Sequence, residues 1–317
     1  MDREIGGYIE LDTYHLPMLH DDGIFLNSGR TCLSYLIKTK NIKRIVLPWF
    51  CCDVVRDVCF RENINVRYFS IGEDWLPKKV ELFDDEWLYI VNYYGQLTPN
   101  TIRDLKNKYK RIIVDNAQAY YAQPVNGCDT LYTCRKFFGV PDGGILFSDM
   151  KSIHDYPIDE SFDRMSFVLG RFERGAAEFY KDAANNNDIF TSEGIKQMSK
   201  LTVNLLHGVD YKIIKQNREK NFTFLHEAFK NINQLNLRVP LGPYAYPLMV
   251  ENGEIIRMKL IAEKIYIPCL WPNVKDDVSK NTLEYNLAAN ILPLPIDQRY
   301  NLDDMEYLRK KVEKCIG

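Results

Sequence analysis

The sequence has no apolar run that approaches the ~20 residues needed to cross a bilayer. It also has no excess of one charge, because 41 Lys and Arg against 43 Asp and Glu leave a formal net charge of -2. A chain so balanced has no electrostatic reason to bind nucleic acid or an anionic membrane. The N-terminus lacks the basic start and apolar core of a signal peptide. These absences indicate a soluble, cytoplasmic protein.

Metal-binding and histidine-based chemistry also have little support. The five histidines are dispersed, so they do not suggest a catalytic triad or a zinc site. The eight cysteines lack metal-ligand spacing, and the adjacent Cys51 and Cys52 do not form a CxxC motif. We therefore expect buried, reduced thiols and no metal centre.

Apolar runs that indicate strands alternate with amphipathic segments in the first half of the chain. A helix is expected to begin at Asn27 or Ser28, and others cover 54–60 and 100–109. Strands are expected at 44–48, 65–70, 87–92, 111–115, 129–133 and 145–148. This alternation predicts an α/β fold, with a mostly parallel sheet between two layers of helices.

The second half of the chain has a different pattern. The polar segment 182–188 predicts a loop, and 192–207 and 210–231 predict two long helices. Further strands are expected at 245–250 and 265–267, with helices at 255–263 and 302–315. We therefore expect a large domain over residues 1–207 and a smaller α+β domain over residues 208–317.

Several polar segments follow the predicted strands. They are 27–31, 48–52, 92–95, 115–118 and 133–136. Ligands of parallel α/β sheets bind beyond the carboxyl ends of the strands. We expect these segments to form one site.

Two residues of these segments indicate a specific chemistry. Lys136 lies in an apolar, glycine-ended loop that follows the strand expected at 129–133. Asp115 ends the strand before that one, at 111–115. A lysine amine can form a Schiff base with the aldehyde of pyridoxal 5′-phosphate (PLP), and a carboxylate keeps the pyridine nitrogen protonated, so that the ring acts as an electron sink. The pair predicts a PLP enzyme with Lys136 and Asp115 as its catalytic residues.

The same segments carry a family resemblance. The motifs are SGRT at 28–31, PWFCC at 48–52, YG at 94–95, DNAQ at 115–118 and Lys136. They resemble the DegT/DnrJ/StrS family of PLP-dependent sugar aminotransferases, from about Phe25 to the C-terminus. The resemblance implies the aspartate-aminotransferase fold (fold type I), a three-layer PLP-dependent transferase fold.

The resemblance also implies roles for individual residues. Asp115 would pair with the pyridine nitrogen, Gln118 would contact the phenolic oxygen, and Lys136 would carry the cofactor and shuttle protons. Restricted solvent access near the cationic ring would lower the pKa of Lys136. The helix N-terminus would receive the phosphate. The residues implied at the phosphate are Ser28, Gly29, Arg30, Thr31 and Thr133.

The chain departs from the family pattern at several positions. Cys52 occupies the place of the aromatic that stacks on the cofactor ring, which leaves Phe50, Tyr94 or no residue for that role. Leu131 replaces the usual phosphate-binding serine. In the segment that reaches the partner subunit's phosphate in the family, the two polar positions are Ile195 and Gln197. Asp142 replaces a glutamate before the glycine pair.

The resemblance implies transfer of an amino group from an amino acid, with glutamate as the expected donor, to a nucleotide-linked keto sugar in aminosugar and surface-polysaccharide biosynthesis. The presence of Lys136 favours aminotransfer over the dehydration catalysed by family members that lack the lysine. A homodimer is expected, and Arg299 is a candidate substrate clamp, although ion pairing is at least as good an interpretation of it. Two alternatives stay open: a catalytically vestigial protein with a regulatory or scaffold role, and a PLP lyase or desulfurase that acts on amino acids.

Overall fold

An eight-stranded mixed sheet forms the centre of the computed structural model, which describes residues 5–152 and 154–317. Its strands are β1 (Ile24–Leu26), β2 (Arg44–Pro48), β3 (Asn65–Ile71), β4 (Pro77–Lys78), β5 (Glu86–Val91), β6 (Ile112–Asp115), β7 (Asp129–Thr133) and β8 (Gly144–Phe147). In space they follow the order β1-β8-β7-β6-β5-β2-β3-β4. The five strands from β7 to β3 in that order are parallel, whereas β8 is antiparallel to both of its neighbours and β4 is antiparallel to β3. The predicted α/β class with a mostly parallel sheet is confirmed.

The helices are α1 (Gly29–Thr39), α2 (Asp53–Arg61), α3 (Pro99–Tyr109), α4 (Ser166–Glu173), α5 (Tyr180–Ser192), α6 (Lys200–Leu206), α7 (Tyr211–Phe229), α8 (Gly253–Ala262), α9 (Val274–Asp277), α10 (Leu283–Asn290) and α11 (Leu302–Ile316). Short 3₁₀ turns lie at Tyr93–Gly95 and Phe162–Arg164. In the described part of the chain, no helix is both long enough and apolar enough to cross a membrane.

The central strands are buried along their whole length. Every residue of β6 and β7 is buried, including Asp115 and Thr133 at their carboxyl ends. Parallel strands that are covered by helices on both faces have this composition of apolar residues. The polar residues at the two strand ends therefore lie at the boundary between the core and any ligand.

A second core occupies the C-terminal third. The antiparallel strands β9 (Tyr246–Met249) and β10 (Ile291–Leu294) pack against α7, α8 and α11. The strand predicted at 265–267 is irregular in the structure, and β10 was not predicted. Both strands contain a proline, Pro247 in β9 and Pro293 in β10, which is tolerated in a strand that pairs on one side only.

The segment before α6 also differs from the prediction. Residues 182–188, expected as a loop, are helical within α5, where the Asn186 side chain donates to the Pro141 carbonyl and Phe190 is buried. Residues 193–199, all of which were expected as helix, are non-helical, and Gln197 bridges to Leu26 and Ile158. Tertiary contacts thus override local propensity on both sides of Ser192.

Candidate active site

A cavity of 340 Å³ lies at the carboxyl ends of the parallel strands. The predicted site residues that line it are Ser28, Gly29, Arg30, Cys52, Asp115, Gln118, Thr133 and Lys136. The structure therefore brings together polar residues that lie more than one hundred positions apart in the chain. A larger cavity of 660 Å³, between residues 13–17 and α6, contains none of these residues.

Asp115 is a buried carboxylate at the end of β6. One oxygen accepts from the backbone N–H of Ala117 at 2.7 Å, and the other accepts from the Tyr89 hydroxyl at 2.9 Å. Burial raises the pKa of Asp115, while the positive charge of Lys136 and the two hydrogen bonds act to lower it. Among the described residues, no cation lies within ion-pair distance of this carboxylate. A protonated nitrogen in the cavity would supply the missing charge.

Gln118 presents an unused donor to the same cavity. Its side-chain oxygen accepts from the backbone N–H of Tyr94 at 2.9 Å, in a turn where Tyr94 has a φ of 50°. Its Nε2 is buried and has no hydrogen-bond partner within the described ranges. Buried donors without a partner are rare, so this one indicates a ligand acceptor.

The N-terminus of α1 forms another wall. The Ser28 hydroxyl accepts from the backbone N–H of Thr31 at 3.1 Å and caps the helix, and the Thr31 hydroxyl donates to Asn27 at 2.6 Å. The backbone N–H groups of the first helical turn have no partner within the helix, and they bind anions well. A Cβ added to Gly29 would lie 3.8 Å from the Thr133 Cβ, so the helix start sits directly beside the end of β7.

Lys136 lies on the cavity wall with its side chain exposed. This chain alone therefore does not shield the side chain of Lys136 from solvent, contrary to the expectation. Its Nζ lies 5.7 Å from the centre of the Tyr244 ring. The loop returns to β8 through Gly143, whose φ of 118° favours glycine, and through Gly144, where a Cβ would lie 2.4 Å from the Ser28 carbonyl oxygen.

Two residues from the C-terminal third hold the lysine loop. The guanidinium of the buried Arg218 and the side-chain amide of Gln298 both donate to the Phe137 carbonyl, at 3.2 and 2.8 Å. Arg218 also donates to Gln298 at 2.9 Å and to the Pro243 carbonyl at 2.9 Å. The backbone next to Lys136 is thus fixed by the C-terminal third of the chain.

The aromatic residues proposed for stacking do not line the cavity. Phe50 is fully buried against Tyr93 and Trp271, and the Tyr94 side chain is buried in the same core. Both residues followed a strand, but their side chains turn toward the apolar core rather than the strand ends. Trp271, which the sequence did not indicate, reaches the cavity wall from the segment before α9.

The two thiols that line the cavity, those of Cys51 and Cys52, do not suit a nucleophile, because burial raises the pKa of both. Burial raises the pKa of Cys52 to about 11, so its thiol is protonated at neutral pH. A desulfurase needs a reactive thiolate, and Cys52 does not provide one. Within residues 5–152 and 154–317, no group of three or more His, Cys, Asp or Glu side chains is placed to hold a metal ion.

Arg299 lies outside the site. It pairs with Asp297 through two hydrogen bonds of 2.6 and 2.7 Å and lines a separate cavity of 430 Å³ beside α11. The substrate role considered for it is not supported by this position, and ion pairing describes it better. Thr31 lies in the first turn of α1, where its backbone N–H donates to the Ser28 cap, and it does not line the 340 Å³ cavity.

Comparison with known proteins gives one clear result, at the level of structure. No protein-family model and no curated protein sequence matches the chain. An aminotransferase of the DegT/DnrJ/EryC1/StrS group from Brucella abortus is similar in structure, with 15% identity, a TM-score of 0.60, and 92% of this chain and 85% of that chain covered.

Two further solved structures are similar over the same share of this chain, 92%. NtdA from Bacillus subtilis with bound PMP is 12% identical, with a TM-score of 0.63 and 73% of its own length covered. PseC from Helicobacter pylori, an aminotransferase of pseudoaminic acid biosynthesis, is 12% identical, with a TM-score of 0.62 and 85% of its length covered. The chain therefore has the fold of these aminotransferases, as the sequence motifs implied.

Proposed function

We propose that this protein is a PLP-dependent aminotransferase of the DegT/DnrJ/StrS type. Its substrates would be an amino acid, with glutamate as donor, and a nucleotide-linked keto sugar on the route to an aminosugar for surface polysaccharide. The observation that carries the proposal is the convergence of Lys136, Asp115, Gln118 and the N-terminus of α1 on one cavity.

The residues of the cavity fit the three polar ends of PLP. Asp115, a buried carboxylate without a cation at hand in the described chain, suits a protonated pyridine nitrogen. The free Nε2 of Gln118 suits the phenolic oxygen. The N-terminus of α1, with the Thr133 hydroxyl beside it, suits the phosphate. When bound, PLP supplies an electron sink for the bond-breaking steps at the substrate carbon that bears the amino group.

Each residue then has a defined task. Lys136 would provide the covalent attachment point, and as a free amine it would take up and return the proton at the substrate carbon. Asp115 keeps a proton on the ring nitrogen, because the buried carboxylate gains a cationic partner there. The exposed position of Lys136 leaves it accessible to an incoming amino donor.

An absorbance spectrum of the purified protein tests the proposal. We expect a band near the edge of the visible range after incubation with PLP, and a shift of that band when glutamate is added, because glutamate would leave its amino group on the cofactor. The keto sugar should then restore the original band.

The alternatives give different results. A band that does not respond to glutamate, or to other amino donors, would favour the vestigial protein. A band that responds to an amino acid but regenerates without a keto sugar would favour a lyase. The absence of any band would contradict the proposal that the protein binds PLP.

A further inference from the structure

Two arginine side chains converge on one neutral residue at the wall of the cavity. Arg30 donates to the backbone carbonyl of Asn187 at 2.7 Å and to its side-chain oxygen at 3.1 Å. Arg135 approaches the same side-chain oxygen at 3.4 and 3.5 Å. Arg30 comes from the first turn of α1, Arg135 from the lysine loop, and Asn187 from α5, and all three line the cavity.

Carboxylates attract this pair from beyond ion-pair distance: Asp53 and Asp188 act on Arg30, and Asp142 acts on Arg135. In the part of the chain that the structure describes, neither guanidinium has a carboxylate within ion-pair distance. Arg135 also stacks on the Phe190 ring at 4.6 Å, and its Nε is buried without a hydrogen-bond partner. Burial and the neighbouring Arg30 cation lower the pKa of Arg135 to about 10. Because the two guanidinium groups share one amide oxygen, an anion with several acceptor oxygens can bind between them.

We infer that Arg30 and Arg135 form a clamp, supplied within one chain, for the phosphate dianion of PLP. The inference rests on the proposed function, because it assigns residues toward that cofactor. The two oxygens of Asn187 occupy acceptor positions that phosphate oxygens take over on binding. The clamp adds two charged donors to the backbone N–H groups at the start of α1.

The 195–199 segment packs within its own chain, and this favours a phosphate site whose charged donors come from the same chain. Gln197 donates to the Tyr156 carbonyl at 2.6 Å, and Ile195 is buried in the core of its own chain. Asp142 accepts from the backbone N–H and hydroxyl of Ser199, which fixes the end of this segment. The side chains of Ile195 and Gln197 are thus engaged within their own chain, which favours a phosphate charge balanced from within the chain.

Binding of PLP and of phosphate-free pyridoxal to the variants Arg30→Gln and Arg135→Gln tests the clamp. Each variant should weaken PLP binding by about 10- to 100-fold, the loss typical of charged hydrogen bonds. Pyridoxal binding should stay within about twofold of the wild type. Arg61→Gln is the matched control, because Arg61 also holds α5, through the Thr191 carbonyl at 2.9 Å, but does not line the cavity. This control should bind PLP as the wild type does.

The possible outcomes separate this inference from the proposed function. Failure of the wild type itself to bind PLP would count against the function, whereas wild-type affinity in both cavity variants would overturn the clamp alone. Equal losses for PLP and pyridoxal would also overturn it, since they would indicate damage to the fold. With UDP as a probe, weaker UDP binding and unchanged PLP binding would assign the arginines to a substrate diphosphate instead and overturn the clamp.

Discussion

Asp115 is a residue at which stability and function oppose each other. Its pKa is raised by burial, so the folded protein favours the protonated acid more than the unfolded chain does. The protonated Asp115 therefore adds to the free energy of unfolding. This contribution is complete below the ordinary carboxyl pKa, and it is lost as the pH rises through the raised pKa of the folded state. At neutral pH the ionised carboxylate therefore destabilises the protein without cofactor, and a cationic ring nitrogen offsets this cost.

This opposition leads to a prediction for Asp115→Asn. Without cofactor at neutral pH, we expect a higher Tm than in the wild type, because a neutral amide replaces a buried charge, while turnover falls on the order of a hundredfold. Thermal unfolding by circular dichroism and steady-state kinetics measure the two effects. Asp129→Asn is the contrast: Asp129 pairs with Lys40 at 2.9 Å, and that variant should have a lower Tm. An Asp115→Asn protein with wild-type turnover would show that another group holds the ring nitrogen.

Lys136 carries the most direct chemical prediction. Lys136→Ala should reduce turnover by at least 10²–10⁴-fold, the usual contribution of a general base, and should still bind PLP without a covalent bond. Borohydride treatment of the wild-type protein with PLP, followed by peptide mapping by mass spectrometry, should label Lys136. Labelling of a different lysine would contradict the assignment, and Lys200, which lies outside the cavity, serves as the control position.

At the residue scale, the sequence predicted the parts of the site that are local in the chain. Ser28 and Gly29 form a helix cap, and Asp115 and Gln118 form one short turn, so their spacing alone was informative. Trp271 and Asn187 could not be found in this way, because no local pattern links them to the strand ends. The partners of Arg135 could not be found in this way either: within the described ranges they are an aromatic ring and an amide, and no carboxylate.

At the scale of elements, the lysine loop is held by a different part of the chain. Gln298 and Arg218 supply the donors to the Phe137 carbonyl, so the loop between β7 and β8 depends on α7 and the segment after β10. The sequence predicted β7, β8 and α7, but it gave no signal for this contact, since long-range pairing follows from packing. Rigid support of this kind is what a catalytic residue requires.

Gln298→Ala tests this support. We expect faster hydrogen exchange in residues 134–140 and a fall in kcat of about tenfold, with a smaller change in KM, because the loop loses one donor and positions Lys136 less accurately. Hydrogen exchange by mass spectrometry and kinetics measure these effects. Arg299→Gln is the matched control, since Arg299 is adjacent and its guanidinium bonds to Asp297 and lies over the Tyr300 ring. Unchanged exchange in the loop of Gln298→Ala would remove the positioning role.

At the scale of the whole molecule, the described chain has three regions of packing, the third of which includes Phe137 and Phe138 of the lysine loop. The large sheet and its helices form one core, and residues 222–315 contribute the second. We propose that the domain boundary lies near residues 207 and 208, just before α7. Trp271 and Leu287, which follow this boundary, pack in the first core, so the C-terminal part contributes to both and reaches the cavity.

The surface around α4 and α5 indicates where a second copy would bind. The long helix α7 does not offer such a surface, because its Phe222, Leu225 and Phe229 fill the protein's own core. Exposed apolar side chains lie on α4 and α5, where Phe172 is 92% exposed and Tyr180 is 75% exposed. Exposed apolar clusters of this kind are typical of interfaces, and two-fold pairing is the commonest closed symmetry.

We therefore predict a homodimer in which α4 and α5 of each subunit pack against the other subunit. Phe172→Glu should shift the protein to monomer in light scattering, because it would bury a charge at the interface. Phe83→Glu, at an exposed phenylalanine outside these helices, should leave the dimer intact. Since α5 supplies Asn187 to the cavity wall, the monomeric variant should also bind PLP less tightly, as α5 would lose its external support. A wild-type monomer with full activity at working concentration would contradict both the dimer and its link to the site.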